Sequence, residues 1–141
     1  MFSKSCKYAI RATLYLAANS NEATKYGVEH IATTLNVPKP FLGKILQQLA
    51  KNGLISVLKG PKGGFYLTTA NKEHSLNEII TSIDGPEVLT SCILGLPSCS
   101  SEMPCPLHFQ FQSFKLGLME VTGDKTVAEL AEEVKEGKFV W

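Results

Sequence analysis

Residues 28–67 are the most informative part of the sequence and read VEHIATTLNVPKPFLGKILQQLAKNGLISVLKGPKGGFYL. Apolar residues first recur at helical spacing, which predicts a short helix: Val28, Ile31, Ala32 and Leu35. Pro38 then predicts a break, because proline pushes the preceding residue out of helical geometry. The next apolar stripe predicts a helix over 38–52: Leu42, Ile45, Leu46 and Leu49. Two short helices across such a break are typical of a helix-turn-helix, although a plain hairpin of helices would show the same periodicity.

A β-hairpin is predicted directly behind these helices. Residues 54–58 and 65–68 read as strands, and the Gly-Pro-Lys-Gly-Gly run at 60–64 reads as the turn between them. A hairpin in this position is the wing of a winged helix. Its lysines, Lys59 and Lys62, lie beside glycines that let the backbone approach a phosphate or enter a minor groove. A nucleotide-binding P-loop is excluded, because its Gly-x-x-x-x-Gly-Lys-Ser/Thr pattern is absent from the sequence.

Charge is distributed unevenly along the chain. Residues 1–75 contain 10 Lys and Arg against 3 acidic residues, a net charge of +7. Residues 76–141 contain 4 Lys against 10 acidic residues, a net charge of −6, so the whole chain carries only +1. A basic half indicates either a polyanionic partner or a solvated basic face. The helix-turn-helix and wing favour the polyanion, which would be double-stranded operator DNA.

Besides a long helix near residue 110, three further helices are predicted outside residues 28–67. The first spans 4–18, and three basic residues share one stripe of it in a geometry suited to phosphate contact: Lys4, Lys7 and Arg11. Ser75 and Glu78 form a capping box that opens a helix ending near Asp84. Thr126 and Glu129 form a second capping box, which opens a short last helix to about residue 134. Two aromatic residues beyond it are expected to fold back on the body: Phe139 and Trp141.

A cysteine cluster follows the predicted winged helix. Three of the four cysteines fall close together, and a histidine comes shortly after them: Cys92, Cys99, Cys105 and His108. Residues 86–106 are rich in Pro, Gly, Ser and Cys and show no helical or strand period. A structureless stretch of this length is usually functional. Thiolates and imidazole bind soft or borderline metals, so these residues are the candidate metal ligands.

The spacing of the cluster leaves three interpretations open. No Cys-x-x-Cys pair is present, although structural zinc sites usually contain one. Long spacers on an irregular loop suit an iron–sulfur cluster, which we favour over zinc and over a loop that binds nothing. A disulfide is disfavoured in a reducing cytoplasm. Cys6 stands apart on the first helix and is interpreted as a small buried hydrophobe.

A long helix is predicted from about 106 to 121. Its apolar residues recur at steps of 4, 3, 4 and 3, the spacing of a heptad seam: Leu107, Phe111, Phe114, Leu118 and Val121. Two heptads are too short for a lone coiled coil, but they suit a dimer interface. An ordinary helix that faces its own core would show the same pattern.

The predicted fold is mainly α with a small β-hairpin. Residues 1–84 form a winged helix-turn-helix domain, 85–106 a cysteine-rich cluster loop, and 107–141 a dimerisation helix with a C-terminal helix. No apolar run approaches the roughly 18–20 residues of a membrane helix, and the opening residues lack an apolar signal stretch. A cytoplasmic protein is therefore expected. No nucleophile with a positioned base and no paired carboxylates are visible, so the chain is not expected to be an enzyme.

Three runs of residues together resemble a bacterial regulator family. They are the Phe-Leu-Gly-Lys-Ile-Leu-Gln-Gln-Leu run at 41–49, Asn-Gly-Leu-Ile at 52–55 and Lys-Gly-Pro-Lys-Gly-Gly-Phe-Tyr-Leu at 59–67. The sequence is similar over nearly its whole length to the Rrf-two-type winged-helix family, which includes an iron–sulfur cluster regulator and a nitric-oxide sensor. The resemblance implies a homodimeric transcription factor whose DNA affinity depends on the state of a cluster.

The resemblance also implies a ligand set. Family members with a 2Fe–2S cluster use three cysteines and a histidine, which match Cys92, Cys99, Cys105 and His108 here. Members that sense nitric oxide take an acidic residue from the first helix to complete a 4Fe–4S site. The matching stretch here is Lys7-Tyr8, so 2Fe–2S is favoured over 4Fe–4S. The first spacer is one residue longer than in the cluster regulator, and Gly43 stands where a longer polar side chain is common.

The expected DNA contacts lie on three elements. Lys and Gln in the second helix of the helix-turn-helix can pair with guanine and adenine, whereas basic residues of the first helix contact phosphates. The full set is Lys4, Lys7, Arg11, Lys39, Pro40, Lys44, Gln47, Gln48, Lys59, Gly60, Lys62 and Gly63. Two alternatives stay open: a zinc-stabilised module that binds a protein, and a family member that binds DNA without any cluster. An iron–sulfur enzyme or carrier is less well supported, because the basic wing would then have no role.

Overall fold

The computed structural model describes residues 2–137. Seven α-helices and one two-stranded sheet are found in this range, with a short 3-10 helix at Pro86–Leu89. The α-helices are α1 Lys4–Asn19, α2 Val28–Leu35, α3 Lys39–Lys51, α4 Thr69–Lys72, α5 Leu76–Asp84, α6 His108–Asp124 and α7 Val127–Lys135. The strands are β1 Ser56–Leu58 and β2 Gly64–Tyr66. Phe139 and Trp141, expected to fold back on the body, lie outside the described residues.

Local sequence signals set the ends of the helices. Ser3 caps α1, since its hydroxyl accepts a hydrogen bond from the Cys6 backbone N–H. Asn36 ends α2 in the left-handed conformation with φ of 55°, which Asn tolerates better than most residues. Pro40 lies in the first turn of α3, where no intrahelical N–H is required of it. The predicted break between α2 and α3 is therefore confirmed.

One core joins the helix-turn-helix to the first and the last helix that the structure describes. It contains the inward stripes of α2 and α3 that the sequence predicts, together with α1. Val127 and Ala131 of α7 are buried in the same core, so the last helix packs with the winged helix. A second buried cluster joins Cys6 of α1, Ile80 of α5 and Leu89 of the 3-10 helix. Cys6 is fully buried, as expected.

The wing is an antiparallel hairpin in which Val57 pairs with Phe65. Tyr26, just before α2, extends it, because the Tyr26 and Phe65 backbones exchange hydrogen bonds of 3.0 and 2.8 Å. Glycine is required at two positions of β2 and its turn. A Cβ on Gly63 would lie 1.8 Å from the Leu58 carbonyl oxygen, and one on Gly64 would lie 2.8 Å from the Tyr26 backbone. The wing is thus fixed to the body by backbone contacts that exclude side chains.

Gly63→Ala is expected to lower the free energy of unfolding by about 1–3 kcal/mol, because the added methyl overlaps backbone that must move. Denaturant unfolding of the purified chain measures this. Gly123→Ala in α6 is the matched control, since a Cβ there meets nothing within 4 Å and alanine favours a helix by up to about 1 kcal/mol. Equal stability of the two variants would show that the wing adjusts freely and that the overlap has no cost.

Two short elements depart from the sequence prediction. α4 was not predicted, although its capping box is complete: Thr68 caps it and Asn71 supplies the reciprocal bond. Residues 86–106 were predicted to be irregular, and the 3-10 helix occupies the first four of them. No helix within residues 2–137 is long and apolar enough to cross a membrane.

Candidate DNA-binding face and cysteine site

The exposed face of α3 carries the polar residues expected to read DNA. Lys39, Pro40, Lys44 and Gln47 are exposed to solvent, and Lys39 forms a loose ion pair of 3.7 Å with Glu29 of α2. Gln48 is also exposed, but its Nε2 donates a 2.6 Å hydrogen bond to the Ser82 carbonyl oxygen of α5. Its amide nitrogen is therefore held by the protein, whereas its oxygen stays available as an acceptor.

The first helix presents two of its three predicted phosphate contacts. Lys4 and Lys7 are exposed. Arg11 is half-buried, and its Nη2 donates a 2.6 Å hydrogen bond to the Leu35 carbonyl oxygen at the end of α2. A guanidinium at a helix C-terminus satisfies an otherwise free carbonyl. One arm of the guanidinium therefore ties α1 to α2, and the phosphate contact of Arg11 stays a prediction.

The wing places its basic residues beside α3. Lys59, Gly60 and Lys62 are exposed, and Gly63 is half-buried against the Leu58 backbone. A cleft of about 590 Å³ separates the wing from α3. Its lining combines residues of both elements: Gln47, Ala50, Lys51, Val57, Lys59 and Phe65. Both elements contribute a lysine to the lining of the cleft, and lysine is a residue type that contacts DNA phosphates.

Phe41 was not among the residues expected to face DNA. It lies in the first turn of α3, outside the inward stripe, and 61% of its surface is exposed. The sequence indicates that Phe41 is exposed, because Phe41 precedes the inward apolar stripe of α3, which begins at Leu42.

The predicted metal ligands converge at the start of α6. The Sγ atoms of Cys92, Cys99 and Cys105 all lie within 4.8 Å of one another, and those of Cys92 and Cys105 are 3.7 Å apart. His108 is the first residue of α6, and its Nδ1 lies 3.3 Å from the Sγ of Cys99. Cys105 is buried, whereas the other three are half-buried. Three thiols up to 13 residues apart in the chain thus meet in one small volume, and His108 lies beside one of them, Cys99.

Backbone hydrogen bonds shape the loop around these thiols. The Gly95 N–H donates to the Cys92 carbonyl at 2.9 Å, and the Cys99 N–H donates to the Leu96 carbonyl at 3.3 Å. The Cys105 N–H points to the Sγ of Cys99 at 3.4 Å. Tight turns of this kind bring N–H groups towards sulfur atoms, which stabilises the thiolate form.

The pKa values of the thiols differ, because each thiol has different hydrogen bonds and neighbours. Hydrogen bonds from the Leu96 and then the Leu94 backbone lower the pKa of the Cys92 thiol to about 7. The Cys105 N–H alone would lower the pKa of Cys99, but burial and the neighbouring thiols outweigh it and raise that pKa. Three thiols this close cannot all ionise readily, because like charges repel. A bound cation would remove this repulsion and favour three thiolates together.

The apolar residues of α6 lie on more than one face of the helix. Phe111 and Leu118 are half-buried against the chain's own 3-10 helix, where they line a cavity of about 270 Å³ with Val88 and Leu89. The other members of the predicted seam are exposed: Leu107 at 36%, Phe114 at 50% and Val121 at 69%. A further exposed pair lies on another flank: Phe109 and Leu116. Two of the five seam residues are therefore half-buried against the chain itself, and Phe114, although half exposed, lines the same cavity.

A helix-turn-helix, a wing fixed beside it and an exposed basic face define a winged-helix DNA-binding regulator. The chain belongs to the Rrf2 family, described as an iron-dependent transcriptional regulator, whose model matches residues 2–133. The family resemblance seen in the sequence is confirmed. Its members are transcriptional regulators and not enzymes.

Similar proteins cover most of this chain. An HTH-type transcriptional regulator of Aquifex aeolicus (strain VF5) is 31% identical over 92% of this chain and 90% of its own length. The HTH-type transcriptional regulator IscR of Erwinia tasmaniensis is 27% identical over 88% of this chain and 74% of its own length.

Solved structures share the architecture. Staphylococcus aureus CymR matches with a TM-score of 0.71 and 25% identity, over 92% of this chain and 97% of that one. The structure of T. potens IscR matches with a TM-score of 0.74 and 20% identity, over 100% of this chain and 93% of that one. The second likeness shows the fold alone. The predicted fold class, mainly helical with a two-stranded wing, is confirmed.

Proposed function

We propose that this chain is a homodimeric, cytoplasmic regulator that binds operator DNA with α3 and the wing. Its operator affinity would be modulated by a 2Fe–2S cluster held by Cys92, Cys99, Cys105 and His108. The observation that carries the proposal is the convergence of three thiols within 4.8 Å, in a chain with a helix-turn-helix that belongs to an iron-dependent regulator family. The similarity to IscR proteins supports the same interpretation.

The donor set fits an iron–sulfur cluster. Thiolates are the usual ligands of such clusters, and a histidine replaces cysteine in some 2Fe–2S centres. Two pairs of candidate ligand atoms lie close together: Cys92 with Cys105 at 3.7 Å, and Cys99 with His108 at 3.3 Å. A metal–sulfur bond of about 2.3 Å gives a sulfur–sulfur edge of about 3.8 Å in a tetrahedral site, so the separation of Cys92 and Cys105 suits one tetrahedral metal ion. When bound, the cluster supplies redox and iron sensitivity to the loop.

The same distances keep zinc as the second candidate. A single tetrahedral zinc ion also needs ligand atoms about 3.8 Å apart, and the three Sγ atoms lie within 4.8 Å of one another. A structural zinc site would fix the loop without a redox response. Metal analysis distinguishes the two candidates, because only the cluster contains sulfide and absorbs visible light.

A physical connection exists between the cysteine loop and the DNA-binding half. Leu89 of the 3-10 helix, three residues before Cys92, is buried against Cys6 of α1 and Ile80 of α5. The Lys115 ammonium of α6 donates to the Ser91 carbonyl oxygen next to Cys92. A tenfold change in DNA affinity requires that the loop bias two arrangements of the dimer by only about 1.4 kcal/mol.

Anaerobic purification with visible spectroscopy and iron, sulfide and zinc analysis of one sample tests this proposal. We expect a red-brown protein with about two irons and two sulfides per subunit, and Cys99→Ser is expected to abolish the colour. Four irons would contradict the 2Fe–2S assignment and reopen the fourth ligand. A colourless protein with one zinc would favour the structural site. Identical operator affinity with and without the cluster would refute the sensor proposal while leaving DNA binding intact.

A further inference from the structure

Phe41 exposes a large apolar surface where the proposed DNA-binding face is otherwise polar. It is 61% exposed, although the core of α3 is already complete with four buried residues: Leu42, Ile45, Leu46 and Leu49. Before residue 85, the described part of the chain exposes only two other large aliphatic or aromatic side chains to a comparable degree, Val57 and Leu58 in the wing. Water-exposed phenylalanine gains nothing for stability, so its burial in a complex would be favourable.

The position of Phe41 on α3 directs it towards DNA bases. It precedes Lys44 and Gln48 by three and seven residues, so these three side chains share one stripe of the helix. All three are exposed. In helix-turn-helix proteins the N-terminal residues of the recognition helix contact base edges in the major groove. Phe41 lies in that turn.

The chemistry of the Phe41 ring indicates which group of the DNA it would contact. A benzyl group donates and accepts no conventional hydrogen bond, so it gains little from phosphate oxygens or from the polar edges of guanine, adenine and cytosine. The apolar feature of the major groove is the C5-methyl group of thymine, and phenylalanine is one of the side chains suited to contact it. We propose that Phe41 contacts a thymine methyl in each half-site and thereby determines operator sequence. This inference rests on the proposed DNA binding.

Deoxyuridine substitution tests the contact, because it removes only the methyl group from a thymine. A duplex is first selected from a random-sequence library by the wild-type protein, and each thymine of a half-site is then replaced singly. One position is expected to weaken binding about fourfold, the value of one buried methyl, and about fifteenfold when both half-sites are changed. The Phe41→Ala protein should bind thymine and deoxyuridine duplexes equally, and Phe41→Leu should keep part of the difference.

The outcomes separate this proposal from the proposed function. If the wild-type protein selects no duplex, DNA binding is wrong and the Phe41 contact falls with it. If it selects a duplex but no deoxyuridine substitution changes its affinity, only the Phe41 contact is wrong. An unchanged deoxyuridine effect in Phe41→Ala would likewise overturn it, since the methyl would then be contacted by another residue. Thermal unfolding should be nearly unchanged in Phe41→Ala, because the side chain is exposed.

Discussion

Operator affinity is expected to fall about a thousandfold when the monovalent salt concentration rises from 50 to 200 mM. If each subunit of a dimer neutralises about three phosphates, log affinity falls with log salt at a slope near −5, and a fourfold rise in salt then costs about three orders of magnitude. The physical cause is the release of counterions from DNA when lysines replace them. Fluorescence anisotropy with a labelled duplex over this salt range measures the slope.

The exposed lysines of the proposed DNA-binding face are expected to produce this slope. Lys7 of α1, Lys44 of α3 and Lys59 of the wing are all exposed on separate elements. Lys7 and Lys59 are the two expected to contact phosphates, so removing either from both subunits removes two phosphate contacts. Lys59→Ala is therefore expected to reduce the slope by about two, with weaker binding at low salt.

Lys135→Ala supplies the matched control. It removes the same charge from the exposed end of α7, where Lys135 pairs with Glu132 at 3.3 Å, so its slope should equal that of the wild type. A flat salt response of the wild-type protein would refute electrostatic DNA binding. An equal reduction in the two variants would show that net charge, and not the α3 and wing surface, determines affinity.

Elements governed by local rules could be predicted from the sequence. The break at Pro38 and the two capping boxes at Ser75 and Thr126 act over three or four residues, and the structure contains all of them. α4 was missed although it too begins with a capping box, because Asn71 replaces the usual Glu or Gln at the third position. A four-residue helix also gives too few residues to show a period.

Contacts between distant residues could not be predicted in the same way. Periodicity shows that Val127 and Ala131 are apolar on one face, but not that this face enters the core of α1. The bond from Arg11 to Leu35 joins residues 24 apart, and a stripe of basic residues gives no sign of it. Each of these depends on tertiary packing, which spacing along one segment does not specify.

The cysteine site could be predicted from the sequence only in part. Soft ligands clustered in one loop predicted a metal site, and the three thiols do converge. The pairing of Cys99 with His108 and of Cys92 with Cys105 depends on turns at Gly95 and Ser100 that follow no repeat. The candidate ligand residues could therefore be predicted from the sequence, but their pairing in space could not.

The heptad pattern of α6 shows most clearly what periodicity alone does not predict. A heptad pattern states that five residues share a stripe, but not what covers them. Phe111 and Leu118 are half-buried against the chain's own 3-10 helix, whereas Phe114 and Val121 are half or more exposed. Apolar surface of this kind on a helix is typical of an interface. We expect the exposed members, one heptad apart, to meet a second copy of the chain.

Phe114→Glu is accordingly expected to convert the proposed dimer into monomers. A carboxylate in a two-fold interface is buried in both subunits without a partner, at a cost of about 3 kcal/mol or more, which raises the dissociation constant at least about a hundredfold. Sedimentation of the purified protein measures the change in mass. Operator affinity should fall with it, because a monomer contacts one half-site instead of two.

Gln112→Glu distinguishes interface burial from added charge. Gln112 is exposed on the same helix, and at 100° per residue it points about 160° away from Phe114, so the same charge there should leave the dimer intact. Both proteins should keep wild-type helix content, because neither side chain belongs to the buried core. A Phe114→Glu protein that stays dimeric would assign the interface to another surface, with the Phe109 and Leu116 flank of α6 as the next to test. A wild-type chain that sediments as a monomer would contradict the homodimer itself.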